Sequence, residues 1–322
     1  MTRVHVCGAS GYAAAEVLRL LHSHPSFEVG VLESSSHAGE PVADHFPLLR
    51  STAYRFDETG SVLESATAGD VVVTAGTDDE VRAVVPAILA REIRAIDLSA
   101  CYRFDASAVY GLTEWYREAI SGARLVANPG CYPTAALLAL LPLAEIGDPR
   151  HVVIDAKSGI TGAGRTPRVT SLFAEVSGEV RAYGLNGHRH QPEIERHLRA
   201  AGVTAPVTFT PHVVPLARGM LVDAYAIFDS PLDPRLVEAV YARAYRGASF
   251  VRIVAGERAP SVAAVAGTND AELRVDVDGT TVRAICAIDN LGKGAAGQAI
   301  ANCNLMCGYP EESGLGARPV LA

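Results

Sequence analysis

The feature that most constrains the fold is the stretch "RVHVCGASGYAAAEVLRLLHSHP" at residues 3–25. "RVHVC" has the β-rich composition of a strand, and from Ala13 onward the apolar residues recur at helical spacing. The turn between them places Gly8, Gly11 and Ala14 at G-x-x-G-x-x-A spacing. Glycines in this context let the backbone approach a pyrophosphate at a helix N-terminus, although a tightly packed turn also requires glycine. We therefore predict a dinucleotide site here.

The rest of the first 130 residues repeats this alternation. Further predicted strands, separated by helical or turn segments, are "FEVGVLESSS", "DVVVTAG", "IRAIDLSA" and "ARLVANPG". Such alternation predicts a parallel sheet, and strands that are apolar on both faces predict helices on both sides. Residues 1 to about 130 are therefore expected to form a doubly wound, Rossmann-like α/β domain that binds NAD(P).

A different pattern begins at residue 131. After the apolar helix "CYPTAALLALLPLAEIG", long predicted strands dominate as far as residue 290, and "PRLVEAVYARAYR" is the one clear helix among them. The long strands are "HVVIDAKSG", "APVTFTPHVVPLARGMLVDAYAIF", "FVRIVAG", "AELRVDVDG" and "TVRAICAID". This pattern predicts an α+β domain with a mostly antiparallel sheet.

Composition narrows the class of protein. The chain has 322 residues, is 49% hydrophobic and carries a formal net charge of -8. This length suggests two domains, and the acidic balance argues against nucleic-acid binding. The absence of a long apolar run and of a signal peptide predicts a cytoplasmic protein that does not span a membrane. The six cysteines have no C-x-x-C spacing, and no histidine lies near Cys303 and Cys307. We therefore expect reduced thiols and no metal site.

The end of the second predicted strand, "LESSSHAG", bears on cofactor choice. The Glu33 carboxylate could bond the ribose hydroxyls of NAD, or it could be a solvated strand end. The 2′-phosphate of NADP would instead be met by hydroxyls and a basic group, which are supplied here by Ser34, Ser35, Ser36 and His37. The residues alone leave this choice open.

"NPGCYPTA" contains the candidate nucleophile. It follows the fifth predicted strand, at the carboxyl edge of the sheet where doubly wound folds bind ligands. If a helix follows, Cys131 lies at its N-terminal end, which stabilises a reactive thiolate. The Asn128 side chain could supply a donor to an oxyanion. A buried structural thiol is the alternative.

A nucleophilic cysteine requires a base, and "NGHRHQPEIERHL" supplies candidates. His188 and His190 alternate around Arg189 just before a helix that Pro192 and Glu193 open. No third metal ligand accompanies the pair, so a Cys–His arrangement fits better than a metal site. The later His197 is expected on the exposed face of that helix.

Two loops carry groups suited to an anionic ligand. "DLSACYRF" follows the fourth predicted strand and places Ser99 and Arg103 where they could clamp a phosphate. "DAKSGITGAGRTP" follows another strand and combines glycines with cations, namely Lys157, Gly159, Gly162, Gly164 and Arg165. A flexible hairpin would explain the second loop equally well.

Taken together, these stretches resemble the N-acetyl-γ-glutamyl-phosphate reductases of the aspartate-semialdehyde-dehydrogenase-like group. The similar stretches follow one another through nearly the whole chain: "GASGY", "IDLSA" with Arg103, "YGLTE", "VANPGCYPT", "DAKSGITGAGR", "GHRHQPEIE", "FTPHVVPLARGM", "AIDNLGKGAAGQA" and "NLMCGYPEESGL". "NPGCYPT" followed by "HRHQPEI" is the most specific combination.

The resemblance implies an NADPH-dependent reduction of an acyl phosphate to a semialdehyde in arginine synthesis. It implies catalytic roles for Cys131, His190 and His188, with the base assigned to His190. The substrate-binding residues implied are Arg103, Ser99, Asn128, Arg165, Arg189 and Glu193. Those implied for NADP are Gly8, Ser10, Gly11, Tyr12, Ser34, Ser35, Ser158, Gly159, Gly162, Gly164 and Asn290. The C-terminal helix is expected to return to the first domain, which would then comprise 1–130 and about 291–322, with 131–290 as the catalytic and dimerisation domain.

The sequence departs from the family near the expected ligands. The segment between "SA" and "YGL" is short, Cys101 replaces a common acidic residue, and Glu33 and Ser35 replace a threonine and a basic residue. These changes keep open a differently blocked or carrier-protein-linked substrate, with a small acidic carrier met by arginines such as Arg168 and Arg181. A non-catalytic NADP sensor and aspartate-semialdehyde dehydrogenase itself also stay open as hypotheses. The family suggests a homodimer or homotetramer.

Overall fold

The structure, a computed structural model, describes residues 1–316 of the 322-residue chain. The end of the predicted segment 291–322 therefore lies outside the described residues. The chain forms two compact units: Met1–Pro129 with a return segment that begins at Ala295, and Gly130–Gly294. No helix within residues 1–316 is both long and apolar enough to cross a membrane.

The elements alternate along the first unit and change character in the second. The strands are β1 (Thr2–Cys7), β2 (Phe27–Glu33), β3 (Val71–Thr74), β4 (Arg94–Asp97), β5 (Val109–Tyr110), β6 (Leu125–Ala127), β7 (His151–Ser158), β8 (Arg181–Ala182), β9 (Val207–Val213), β10 (Met220–Ile227), β11 (Val251–Ile253), β12 (Ala271–Asp278) and β13 (Thr281–Ile288). The helices are α1 (Tyr12–His22), α2 (Val42–His45), α3 (Ser61–Ser65), α4 (Asp78–Ala90), α5 (Thr113–Ser121), α6 (Cys131–Leu140), α7 (Phe173–Val176), α8 (His190–Ala200), α9 (Pro234–Ala244), α10 (Val262–Val265) and α11 (Gly297–Met306).

The first unit contains a parallel six-stranded sheet in the order β2-β1-β3-β4-β6-β5. The predicted doubly wound domain is confirmed. The strand count was wrong by one, because Val109–Tyr110 forms an additional strand of only two residues beside β6. A segment this short has no detectable period.

Local sequence explains why α4 forms where it does. Thr77 and Glu80 make a capping box, with the Glu80 carboxylate 2.8 Å from the Thr77 amide. Val81, Val85 and Ile88 then recur at helical spacing and are buried in a core cluster with residues of β3 and β4. The cap fixes the start of the helix, and burial of its apolar stripe fixes the face that it presents to the sheet.

The sheet of the second unit is mixed and mostly antiparallel, which confirms the predicted mostly antiparallel sheet. Its strand order is β11-β12-β13-β10-β7-β9-β8. Two pairs, β7–β9 and β11–β12, are parallel. The long predicted strand around residues 206–228 is two strands, and "FVRIVAG" contributes only three strand residues. The helix predicted to open at Pro192 and Glu193 is α8, which begins two residues earlier, at His190.

Helix α6 is buried all round and packs against β10 and β13. Its residues after Cys131 are apolar or small on every side, which suits a helix without a solvent face. In β7 and β10, buried residues alternate with half-buried ones along the strand. The half-buried residues lie on the side of the sheet away from α6, which is called the open face. On it Tyr225 lies opposite Val153 on one neighbouring strand and Arg283 on the other.

Candidate active site

Cys131 is the first residue of α6, in the position that the sequence predicted. Gly130 is the N-cap in extended conformation, and its carbonyl accepts the first helical bond from the Thr134 amide at 2.9 Å. Cys131 is partly exposed and lines a cavity of about 380 Å³ within the second unit. A Cβ atom at Gly294 would lie 2.8 Å from the Cys131 Cβ, so glycine is required beside the thiol.

The Glu193 side chain holds the turn that precedes Cys131. It is 1% exposed, and its Oε1 accepts a hydrogen bond of 2.9 Å from the buried Gly130 amide. Glu193 lies in the first turn of α8, so this bond ties α8 to the N-terminus of α6. The resemblance implied a substrate contact for Glu193, whereas this bonding favours a role in positioning Cys131.

His188 and His190 line the same cavity as Cys131. The His190 amide donates to His188 Nδ1 at 3.2 Å, so neutral His188 carries its proton on Nε2. The His188 ring packs among aromatic rings, 5.7 Å from Tyr132 and 5.4 Å from Phe209 between centroids. Burial, and secondarily the charge of Arg189, lowers the pKa of His188. This favours a neutral His188 that can donate from Nε2 at physiological pH.

His190 is the first residue of α8 and is 5% exposed. Its ring lies 4.9 Å from that of His188 and 5.9 Å from that of Tyr132. A buried imidazole on the wall that also carries Cys131 is a suitable acid or base, because it can exchange protons without a bulk-water competitor. The assignment of the base to His190 stays a prediction.

The prediction for His197 was wrong. It is 7% exposed and packs on the inner face of α8, and burial together with the Arg196 charge lowers its pKa to about 4. His197 lies one helical turn after Glu193 and two turns after His190, and both of those residues are also buried. The inner face of α8 therefore carries more polar residues than the sequence suggested.

Three arginines, Arg168, Arg181 and Arg189, line the cavity and are called the cationic rim. The Arg181 guanidinium donates a hydrogen bond to the Thr170 carbonyl at 3.2 Å. Arg165 is half-buried and is not among the lining residues in the described part of the chain. The cavity thus combines a thiol, two imidazoles and a positive edge, which suits an anionic acyl group.

The predicted glycine-rich loop forms another wall of this cavity through Ser158, Gly159 and Gly162. A side chain at Gly159 would meet the Leu216 carbonyl at 2.9 Å, and Gly164 adopts a positive φ of 85°. Asn290, which the resemblance implies for NADP, hydrogen-bonds protein groups in this structure. Its Oδ1 accepts from the Gly219 amide at 2.7 Å, and its Nδ2 donates to Thr161 at 3.0 Å. Asn290 therefore fixes the loop.

The predicted phosphate and oxyanion residues of the first unit also bond one another or nearby backbone. Arg103 is buried and donates to the carbonyls of Asn128 and Leu98 at 3.0 and 3.1 Å. The Ser99 hydroxyl donates to Asp97 at 2.9 Å. The Asn128 side-chain Nδ2 donates to the Ala295 carbonyl at 3.1 Å. These bonds favour structural roles, and the predicted ligand contacts stay predictions.

The predicted dinucleotide turn has the geometry that this role requires. Gly8 has a φ of 78°, and a Cβ there would lie 2.7 Å from the Gly76 amide nitrogen. Gly11 is the N-cap of α1 with nothing within 4 Å of its Cβ position, so the helix N-terminus is accessible. Ser10 is half-buried and Tyr12 is 37% exposed at the same turn.

A cavity of about 350 Å³ opens beside this turn within the first unit. Its lining combines Gly8, Glu33, Ser35 and Gly76 with apolar side chains such as Val81. The Ser34 side chain is buried and Ser35 is exposed. An apolar cleft with a few polar groups next to a helix N-terminus suits the adenosine end of a dinucleotide.

Glu33 is not a solvated strand end. It is 5% exposed, and its Oε1 accepts hydrogen bonds from the amides of Gly60 and Val62 at 3.0 and 2.7 Å. These amides belong to the N-terminus of α3, where a carboxylate also favours the helix dipole. Glu33 therefore anchors α3, a role that no local sequence signal indicated.

Tyr183 is a cavity residue that the sequence reasoning missed. Its hydroxyl donates to the Tyr132 hydroxyl at 3.1 Å, and Tyr132 in turn donates to the His212 carbonyl at 3.2 Å. The Tyr183 ring packs against His188 with centroids 5.5 Å apart. A lone tyrosine in an irregular loop gives no period or motif that could have identified it.

Two family models cover most of the chain. The model described as "Semialdehyde dehydrogenase, NAD binding domain" matches residues 3–123. The model described as "Semialdehyde dehydrogenase, dimerisation domain" matches residues 131–290.

Curated relatives match over nearly the full length of both chains. Proteins named N-acetyl-gamma-glutamyl-phosphate reductase from Geobacter metallireducens and Moorella thermoacetica are each 42% identical to this chain. The matches cover 99% and 98%, respectively, of this chain and the same share of each relative.

Solved structures share the fold at lower identity. A probable aspartate-semialdehyde dehydrogenase from Pseudomonas aeruginosa aligns with a TM-score of 0.75 at 20% identity, covering 95% of this chain and 98% of that one. Aspartate semialdehyde dehydrogenase with NADP from Candida albicans aligns with a TM-score of 0.73 at 16% identity and the same coverage. At such identities the likeness concerns the fold alone.

Proposed function

Since the chain belongs to the N-acetyl-gamma-glutamyl-phosphate reductase family, we propose that it reduces N-acetyl-γ-glutamyl phosphate to the semialdehyde and phosphate in arginine biosynthesis. The observation that carries this proposal is the position of Cys131. It begins a helix on the wall of a cavity that also carries His188, His190 and the cationic rim.

In this proposal Cys131 attacks the acyl carbon, and the C–O bond to phosphate breaks to give a thioester. The dipole of α6 favours the thiolate at its N-terminus, and His190 accepts the thiol proton. The Nε2–H of His188 points to a donor role towards substrate oxygen, because its Nδ1 is already occupied. Glu193 keeps the Gly130–Cys131 turn in place during the attack.

NADPH, when bound, supplies the hydride that reduces the thioester. His190 then returns its proton to the oxygen of the resulting thiohemiacetal and takes it back as the C–S bond breaks. The aldehyde leaves, and His190 passes the proton to the departing thiolate, which restores the Cys131 thiol. The arginines of the cationic rim balance the negative charge of substrate and leaving phosphate.

We propose NADP rather than NAD as the cofactor. The turn at Gly8 and Gly11 and the cavity beside it fit a dinucleotide. Glu33, the carboxylate that could favour NAD, already accepts two backbone amides at α3. The exposed Ser35 on the same cavity wall could meet a 2′-phosphate. A solved relative of the same fold holds NADP, which supports this choice.

We also propose a homodimer or homotetramer that uses the open face of the second unit. The match to a dimerisation-domain model and the half-buried side chains on that face support this assembly.

The reverse reaction tests the function. We expect phosphate-dependent reduction of NADP with N-acetyl-glutamate semialdehyde, slower turnover with NAD, and none in Cys131→Ala. Absence of turnover from folded protein that binds NADP would contradict the proposed substrate.

A carrier-linked glutamyl or aminoadipyl phosphate is the second candidate substrate, because the cationic rim could also meet a small acidic carrier protein. Steady-state assays with free and carrier-linked substrates distinguish the two. A kcat/KM that is higher for the carrier-linked substrate and falls in Arg189→Ala would favour the carrier.

A further inference from the structure

Three potential metal ligands lie near one another in the segment that follows β2 in the first unit. His37, Glu40 and His45 each offer one ligand atom, and the three atoms lie within 4.8 Å of one another. We propose that these three side chains form a binding site for a divalent late transition-metal ion, with zinc as the ion of choice.

The spacing suits tetrahedral coordination. Ligands about 2.0–2.1 Å from zinc lie roughly 3.3 Å apart at tetrahedral angles. His37 Nδ1 lies 3.3 Å from Glu40 Oε2. His45 Nε2 lies 2.5 Å from the same oxygen, so this pair needs to separate by less than an ångström to admit an ion.

The chemistry of the three donors selects the type of ion. Two imidazoles and one carboxylate suit zinc, nickel or copper, whereas magnesium and calcium prefer oxygen alone. Three protein ligands leave the fourth position to water.

The backbone holds the three ligands in place before any ion binds. The Glu40 amide bonds the His37 carbonyl at 3.0 Å across a turn in which Gly39 has a φ of 82°. Phe56, on the neighbouring segment, accepts from the Gly39 amide at 2.8 Å and donates to the Glu40 carbonyl at 3.0 Å. His45 lies at the end of α2. This double pairing reduces the entropy cost of gathering the ligands.

The three proposed ligands pack against an aromatic ring on one side and are partly exposed to solvent. The buried Phe56 ring packs against the rings of His37 and His45 with centroids 6.1 and 5.4 Å away. The side chains of His37, Glu40 and His45 keep 31%, 50% and 15% of their surface exposed. An ion can therefore enter from solvent, while packing against Phe56 restricts the orientation of the two imidazole rings.

Cobalt titration of the chelator-treated, tag-free full chain tests the site. We expect one Co²⁺ per chain with the visible absorption of a four-coordinate nitrogen and oxygen site, displaced by Zn²⁺. Glu40→Gln and His45→Gln should each weaken binding by about tenfold or more, because each removes one of three ligands. His151→Gln, a histidine of the second unit, should bind as wild type does.

Two results would overturn the proposal. One is a folded wild-type chain that gives no four-coordinate spectrum, which would leave only a hydrogen-bonded His–Glu–His group. The other is a spectrum that persists in Glu40→Gln and His45→Gln or that shows thiolate ligation, which would assign the ion to the cysteines.

Discussion

At the scale of single residues, the reactive thiol depends on a partner that is distant in sequence. The Glu193 carboxylate accepts a hydrogen bond from the buried Gly130 amide, and this bond fixes the orientation of the Gly130–Cys131 turn at the start of α6. Loss of the carboxylate leaves a buried N–H without an acceptor, which costs about 1–3 kcal/mol.

We therefore expect Glu193→Ala to lower the free energy of unfolding by about 1–3 kcal/mol. It should lower kcat by about 100-fold, since displacement of a reacting group by about 1 Å costs this much. Glu193→Gln keeps an acceptor oxygen and should recover most of both. Denaturant unfolding and steady-state kinetics give the two values. A large rise in KM with unchanged kcat would instead assign Glu193 to substrate binding.

The carboxylate of Glu33 suggested a bond to the ribose of NAD, whereas its observed hydrogen bonds support a structural role at the start of α3. Because its Oε1 anchors the first amides of α3, Glu33→Ala should lower the free energy of unfolding by about 1–3 kcal/mol. The ratio of kcat/KM for NADP to that for NAD should not change. Glu28→Ala, an exposed position on the same strand, is the control. A shift of the ratio towards NADP in Glu33→Ala would show that Glu33 meets the ribose.

At the scale of elements, α8 carries a buried ionisable group that ties stability to pH. The pKa of His197 falls from 6.5 to about 4 on folding because burial disfavours its charged form. Between these values the unfolded chain binds the proton and the folded chain does not, so stability is lost as pH falls from 6.5 towards 4.

His197→Gln removes this contribution. From pH 6.5 to pH 4 the wild type should lose ~3 kcal/mol more than the variant, at about 1.4 kcal/mol for each unit of pKa shift. Urea unfolding at several pH values measures the difference. Parallel stability–pH curves for the two proteins would show that His197 is not buried in its neutral form.

The elements also show what a sequence can and cannot predict. The glycine turn before α1 and the position of Cys131 at a helix start are local patterns, so both were predictable. The bond from Glu193 to Gly130 joins residues 63 positions apart, and no spacing rule reveals it. His37, Glu40 and His45 are near in sequence, but their convergence depends on pairing with the segment around Phe56.

At the scale of the whole molecule, each unit supplies one half of the proposed reaction. The first unit offers the dinucleotide turn and its cavity, and the second offers the thiol, the imidazoles and the cationic rim.

The open face of the second unit is the surface that we expect to join two copies. Tyr225→Glu should therefore reduce the sedimentation coefficient to that of a monomer, since a charge would be buried at the interface. An unchanged oligomer would exclude this face.

In the proposed reaction the substrate becomes covalently bound to Cys131 as a thioester. A phosphate-free burst experiment tests it most directly, with N-acetyl-glutamate semialdehyde and excess NADP mixed with the enzyme. We expect one NADPH per active chain, then a halt until phosphate is added, with an acyl adduct on the Cys131 peptide and neither burst nor adduct in Cys131→Ala. Sustained turnover without phosphate, or an adduct on another residue, would contradict it.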